Sequence, residues 1–345
     1  MSRPQAYSGS VVLVTGAAGF IGFHASRRLL ESGASVIGFD NLNDYYDPSL
    51  KASRLEQLVR YPGFRFESSD LTDNDAVDAC FERYRPTRVL HFAAQPGVRY
   101  SLTNPTSYTA SNVTGLLSVL EGCRRHEVQH LVFASTSSVY GANTRLPYSE
   151  HSSVDHPVSL YAATKRSGEL MAHCYSHLYG IPCTCLRYFT VYGPWGRPDM
   201  AYYSFTRKIL AGEPIDVFGE GQHKRSFTYV DDVVEGTLRI LEQPATPDPA
   251  WDADAPVPSR SDAPFRIYNI GNPETVELAR FIEILEKALG CTAKKNFIAR
   301  QPGDVLATSA DIAGLSAAVG YAPHTPLVTG IERFVEWYRE YHGKS

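Results

Sequence analysis

Val11-Val-Leu-Val-Thr-Gly-Ala-Ala-Gly-Phe-Ile-Gly22 decides the fold. Val11 to Thr15 is a short, β-branched apolar run, the composition of a buried strand. Gly16, Gly19 and Gly22 follow it and open an amphipathic stretch. There Phe20, Ile21, His24, Ala25, Leu29 and Leu30 recur at near-helical spacing until Gly33 ends it. A second strand, Ser35 to Phe39, runs into Asp40, 18 residues beyond Gly22. Strand, glycine turn, helix, strand and acid make a βαβ unit built to hold a dinucleotide. One glycine makes the tight turn, the next lets the backbone approach a pyrophosphate, and the third lets the helix pack on the sheet. The helix N-terminus then turns its N–H groups and positive dipole end toward the phosphates. Asp40 can accept hydrogen bonds from both ribose hydroxyls and would repel a 2′-phosphate, so NAD is expected over NADP.

The alternation continues outward. Phe64 to Glu67 reads as strand and runs to Asp70, and Ala76 to Tyr84 as helix. Val89 to Phe92, Leu131 to Ala134 and Cys183 to Phe189 read as strands, with Tyr108 to Cys123 and Tyr161 to Tyr179 as the helices between them. Strands alternating with helices of this length predict a parallel sheet covered on both faces. After about residue 190 the order loosens. Asp231 to Leu241, Val276 to Leu289 and Ile331 to Tyr341 look helical. Gln243 to Pro264 holds six prolines and reads as a mobile loop or insertion. The expected fold is α/β: a Rossmann-type doubly wound parallel sheet with a smaller mixed α/β C-terminal substrate domain. Residues 1–190 would form the first, 191–345 mainly the second, with the chain crossing back between them.

Composition bounds the partners. The 345 residues carry 33 Lys plus Arg against 37 Asp plus Glu, a net charge of −4 without blocks of one sign. Neither a nucleic-acid partner nor a membrane surface is expected from that balance. No apolar run approaches the roughly 20 residues of a membrane span, and the first ten residues lack the apolar core of a signal peptide. The six cysteines form no C-x-x-C pair and read as buried reduced thiols of a cytoplasmic protein. His151, His156, His173 and His177 read as structural or surface residues, so no metal is expected.

Tyr161 and Lys165 lie four apart at the start of a helical pattern and so point the same way. A free tyrosine, with a pKa near 10, is a poor base at neutral pH; a neighbouring ammonium and a positive nicotinamide both favour the phenolate. Thr136, in Phe133-Ala-Ser-Thr-Ser-Ser-Val-Tyr-Gly141, begins a polar cluster as the fifth strand ends. That edge is where open α/β sheets build their sites, and a hydroxyl there can share a hydrogen bond with Tyr161 and a substrate oxygen. Ala93 and Ala94, just past the fourth strand, leave room for a cofactor. Asp70-Leu71 lies on the adenine side, where Asp70 serves either the cofactor or its own strand end.

Together with Arg225-Ser-Phe-Thr-Tyr-Val-Asp-Asp232, these motifs resemble the extended short-chain dehydrogenase/reductases that act on nucleotide sugars. Four longer strings are similar to the UDP-glucuronate 4-epimerases: Asp40 to Asp47, Gln95 to Ser101, Asp155 to Tyr161 and Phe189 to Met200. The resemblance implies a homodimer and a redox epimerisation of a UDP-hexuronic acid on tightly held NAD. Tyr161 would take the proton from the sugar 4-hydroxyl, with Lys165 and Thr136 as partners. Gly16, Gly19, Phe20, Ile21, Gly22, Asp40, Asn41, Asp70, Leu71, Ala93 and Ala94 would line the cofactor.

Decarboxylases of the same sugar carry Glu at the position of Ser138, and 4,6-dehydratases carry Asp-Glu at Ser137-Ser138. Galactose-type epimerases usually show Asn at the position of Thr190. Here Ser137, Ser138, Thr190 and Arg197 would instead hold the sugar's carboxylate, with Arg197 as its charged anchor. Arg225 matches the family's diphosphate-binding arginine and Asp304 its ribose contact, while Gln301 departs from the usual Arg. Arg99 reads as a substrate contact or a loop residue, and Phe218 as a uracil platform or core. A neutral-sugar 4-epimerase, a decarboxylase and an NAD-sensing protein without turnover are the alternatives. Apolar positions Leu116, Leu117, Val119, Leu120, Leu170 and Met171 exceed what one sheet face was expected to cover, which favours a two-fold helical interface.

Overall fold

The computed structural model describes residues 7–299 and 307–343. Its first half runs β1 (Val11–Thr15), α1 (Phe20–Glu31), β2 (Ser35–Asp40), α2 (Pro48–Leu58), β3 (Phe64–Ser68), α3 (Asn74–Tyr84) and β4 (Arg88–His91). Then come α4 (Tyr100–Thr103), α5 (Pro105–Thr109), α6 (Gly115–Arg125), β5 (His130–Thr136), α7 (Leu160–Tyr179) and β6 (Cys183–Tyr188). The second half holds β7 (Thr190–Tyr192), α8 (Ala201–Leu210), β8 (Ile215–Phe218), β9 (Lys224–Arg225), β10 (Phe227–Tyr229) and α9 (Val230–Leu241). It ends with β11 (Phe265–Ile270), β12 (Val276–Glu277), α10 (Leu278–Leu289), β13 (Lys295–Ile298), α11 (Ala313–Val319) and α12 (Leu327–His342).

Seven parallel strands form the central sheet in the order β11-β6-β5-β4-β1-β2-β3. The doubly wound α/β fold read from the opening motif is therefore present. Strand period sorts the core: Val12 and Val14 of β1 face α1 and α9, while Leu13 faces the layer of α3, α6 and α7. The order reverses between β1 and β4, so the crevice beyond their C-terminal ends is where this topology leaves room for a ligand. A separate apolar cluster joins Tyr192, Tyr202, Phe227, Phe281, Phe334 and Trp337 in the second half. The chain leaves the sheet at β7 and returns with α9 and β11, the seventh strand.

Several local readings change. The helix expected from Tyr108 to Cys123 is continuous but widens by a π-helical turn over Ala110–Thr114, between α5 and α6. Asn112 is drawn inward there, bonding the Gln95 N–H and C=O at 2.7 and 3.1 Å and the Thr164 hydroxyl at 3.1 Å. α2 lay unread, although Asp47 caps it through the Ser49 N–H and Pro48 starts it. Leu116, Val119 and Leu120 are buried by the chain's own sheet, so of the apolar surplus only Leu117 and Leu170 protrude, with Met171 half-buried. All six cysteines are free, but Cys174 and Cys291 are exposed rather than buried. Residues 243–264 carry neither helix nor strand. Their end is held by hydrogen bonds of Ser259 to His151 and of Ser261 to His173, at 2.7 and 3.0 Å. No helix among the described residues is long and apolar enough to cross a membrane.

Candidate active site

One cavity of about 430 Å³ opens along the C-terminal edge of the sheet. At its cofactor end the turn after β1 leaves no room for side chains. Gly16 has φ +71°, and a Cβ there would stand 2.7 Å from the Ala93 nitrogen. A Cβ on Gly22 would strike the Gly16 carbonyl oxygen. Each clash is with backbone, so neither position tolerates even alanine without moving the turn. The first turn of α1 contains no acid and no side-chain cap, which leaves its N-terminus open to an anion.

Asp40 is buried at the end of β2, where it accepts from the Ala18 and Leu42 N–H groups at 3.1 and 2.9 Å. Four lone-pair sites on an ionised carboxylate leave it able to accept from a ribose as well. Asp70 lines the same cavity but is also its own loop's cap, accepting from Thr72 and, at 2.6 Å, from the Asn41 amide. Phe20, Ile21, Asn41, Leu71, Ala93 and Ala94 complete the walls read from sequence. Cradle, acid and small residues fit a dinucleotide.

At the other end Tyr161, Lys165, Thr136, Ser137, Ser138, Thr190 and Arg197 line one surface, contributed by β5, α7, β7 and the loop after β7. Burial raises the Tyr161 phenol; the Arg197 guanidinium and a hydrogen bond with Thr136 pull it back, and Asp199 opposes them. The reading from sequence gave the lowering role to Lys165. Here that ammonium sits 4.4 Å from the centre of the Phe133 ring, and burial pulls it down to about 7. Among the charges acting on the phenol, the Arg197 guanidinium is the largest favourable one.

Beneath Lys165 lies a buried ion pair that sequence reading missed. Glu169 accepts from Arg187 at 2.8 and 2.9 Å and from the Ser135 hydroxyl at 2.6 Å. It ties α7 to β5 and β6, and breaking such a pair leaves a lone buried charge at a cost of about 3–5 kcal/mol. Tyr161, Lys165 and Glu169 recur every fourth residue, so the anchor and the site share one face of α7.

The loop carrying Arg197 has its own clamp, also unread. Arg54 of α2, fully buried, donates to the carbonyls of Trp195, Gly196 and Ala18 and to the Tyr46 hydroxyl. It joins the glycine turn after β1 to that loop. The Asp47-Pro48 helix start was the signal that could have found α2, and through it Arg54 and Lys51, which lines the cavity and donates to Asn43. Arg99 stands outside this cavity, its guanidinium 5.0 Å from the centre of the Phe218 ring. Arg225 is also outside it, in β9, donating to the Lys224 carbonyl. Asp304 and Gln301 lie outside the described residues. No cluster of three or more metal-ligating side chains occurs among the described residues.

A doubly wound sheet with a glycine turn, a ribose-side acid and a tyrosine–lysine pair on one helix defines a dinucleotide-dependent short-chain oxidoreductase class. The chain belongs to the NAD dependent epimerase/dehydratase family, whose sequence profile matches residues 12–271. It is 45% identical to a probable UDP-glucuronate 4-epimerase of Rhizobium meliloti (strain 1021) over 96% of this chain and 98% of that protein. It is 46% identical to UDP-glucuronate 4-epimerase 1 of Arabidopsis thaliana, over 97% of this chain and 78% of that one. The structure of a Bacillus cereus UDP-glucuronic acid 4-epimerase, solved with UDP-glucuronic acid and NAD, superposes with a TM-score of 0.84. Its sequence is 34% identical, covering 96% of this chain and 99% of that one. The cofactor is NAD.

Proposed function

We propose that this chain interconverts UDP-glucuronate and UDP-galacturonate by NAD-dependent 4-epimerisation. The observation that carries the reading is the pairing of a half-buried tyrosine with a guanidinium in one cavity, Tyr161 with Arg197. NAD, held by the Gly16–Gly22 turn and Asp40, would supply a reversible two-electron exchange at C4 of the sugar. The chain's residues handle protons, charge and orientation. Tyr161 accepts the proton of the sugar 4-hydroxyl and returns it, with Thr136 sharing that hydrogen bond and Lys165 completing the proton-handling group. Arg197, Thr190, Ser137 and Ser138 hold the C5 carboxylate. The 4-keto uronate is a β-keto acid, which loses CO₂ when the breaking bond aligns with the carbonyl π system. Pinning the carboxylate out of that alignment favours epimerisation. Ser137 and Ser138 offer no carboxyl group, which disfavours elimination and decarboxylation chemistry.

Arg225 is assigned to the diphosphate half and Asp304 to the ribose, with Arg99 as a further substrate contact. Residues 1–190 hold mainly the cofactor and 191–345 mainly the sugar nucleotide, with α9 and β11 crossing back. Conversion of UDP-glucuronate to UDP-galacturonate by the purified protein, followed by NMR of the sugar, tests the function. A preference for UDP-glucose would overturn it.

Asp40 sets the nicotinamide preference on this reading. Charged hydrogen bonds are worth about 1.5–3 kcal/mol, so Asp40→Ala is expected to weaken NAD binding by about tenfold or more. Titration of the cofactor-free protein with NAD and NADP checks it; equal affinities in the parent protein would remove Asp40 from that role. The exposed Leu117, Leu170, Leu178 and Tyr179 of α6 and α7 support a homodimer through these helices. Its check is a solution mass of twice 38.2 kDa at micromolar concentration. Free cysteines fit a cytoplasmic location.

A further inference from the structure

Arg197 is gripped by a neighbouring carboxylate. Its Nε and Nη2 donate to the two carboxylate oxygens of Asp199, at 3.0 and 2.8 Å. A guanidinium held along that edge keeps a fixed plane; Nη2 also reaches the Met200 sulfur at 3.7 Å, which leaves Nη1 for another acceptor. Asp199 is itself fixed by the Tyr45 hydroxyl, which donates to Oδ2 at 3.2 Å. Tyr45 belongs to the loop after β2, on the cofactor side, and lines the cavity with Arg197. The loop after β4 leaves space for it: Gly97 has φ +98°, and a Cβ there would stand 2.5 Å from the Tyr45 oxygen. Burial would raise the Asp199 carboxyl, but the guanidinium keeps it below its ordinary range, so the pair is ionic. Arg54 holds the backbone of this loop, and Asp199 holds its charged side chain.

We propose that Asp199, held by Tyr45, is a positioning residue that fixes the direction in which Arg197 receives the substrate's carboxylate, and so decides whether the 4-keto uronate keeps it. This rests on the uronate-epimerase reading above. Two effects of opposite sign follow from one carboxylate. As an anion beside the site, Asp199 weakens binding of a second anion. As the partner of the Nε edge, it prevents the guanidinium from swinging and carrying the substrate carboxylate into alignment with the ketone. When alignment occurs, the C5–C6 bond breaks and its electron pair passes into the C4 carbonyl as an enolate. CO₂ leaves, and a proton from water returns to C5 to give a UDP-4-keto-pentose.

Asp199→Asn keeps the size and removes the charge. Affinities are measured in the Tyr161→Phe background, where turnover is suppressed, and products by NMR with Tyr161 present. UDP-glucuronate is expected to bind about threefold tighter or more, while UDP-glucose changes by less than about twofold. UDP-4-keto-pentose is expected to rise to about a tenth of the products or more. Tyr45→Phe, which removes only the hydroxyl holding Asp199, should move product ratio in the same direction by less. A structural role alone would weaken both sugars together and release no pentose; that result, or no change, overturns the proposal. Failure of the parent protein to epimerise UDP-glucuronate would instead overturn the functional reading, and the ratio of the two affinities would still judge Asp199.

Discussion

Tyr161→Phe is expected to lower turnover of UDP-glucuronate by about 10²–10⁴-fold, the range of general acid–base catalysis, while leaving the sugar nucleotide bound. The electrons can leave C4 only as the hydroxyl proton departs, and on the proposed reading the Tyr161 phenol receives it. Phenylalanine keeps the ring, which meets Tyr108 edge-on at 6.1 Å, so packing survives and the chemistry does not. Burial holds the parent phenol above its ordinary value, with Arg197 and Thr136 as the counterweights. With Tyr161 as the base the phenolate would be the acting form, so the parent's rate should rise with pH across the neutral range. Single-turnover kinetics and equilibrium binding of UDP-glucuronate separate the two effects. Activity within about tenfold of the parent would show that Tyr161 is not the base.

The second large effect is a change of product. Arg197→Ala or Arg197→His is expected to slow epimerisation and release CO₂, with UDP-4-keto-pentose as the new product and NADH accumulating. Asp199 makes the outcome sharper than an empty pocket would. Once the guanidinium is gone, the Asp199 carboxylate loses its bidentate partner and faces the substrate carboxylate as a like charge. Loss of a charged hydrogen bond costs about 1.5–3 kcal/mol, or roughly tenfold to a hundredfold in affinity for the uronate. NMR of the products together with absorbance of reduced nicotinamide reads both. Normal epimerisation without pentose would remove Arg197 from carboxylate restraint.

The two variants divide the site as the fold does. Tyr161 stands on α7, whose burial against β5 and β6 is fixed by Glu169 and Arg187. Arg197 stands on a loop that has no regular structure and is fixed by long side chains from elsewhere. A site on a rigid helix and a site on a clamped loop were not equally legible. Tyr161, Lys165 and Thr136 could be read because helical spacing and the strand end place them without knowledge of the rest of the chain. Arg197 could be singled out as a cation near the site, but its partners could not. Tyr45 and Asp199 are 154 positions apart, and Arg54 meets Trp195 across 141.

By itself the sequence determined what depends on neighbours in the chain. Gly16 to Gly22 between an apolar strand and an amphipathic helix specified the dinucleotide turn, because backbone clash there is local. Asp40 could be placed at a strand end, and the alternating periods announced the parallel doubly wound sheet. Tertiary structure decided the rest. It turned Leu116, Val119 and Leu120 inward, because the sheet face they cover is assembled from strands distant in sequence. It set the Lys165 ammonium against the Phe133 ring and brought the Arg197 guanidinium to bear on the Tyr161 phenol, since what surrounds a charge depends on everything packed there. It also paired Arg197 with Asp199 and Tyr45, a geometry set by three-dimensional closure of the loops after β2 and β7, to which no local pattern refers.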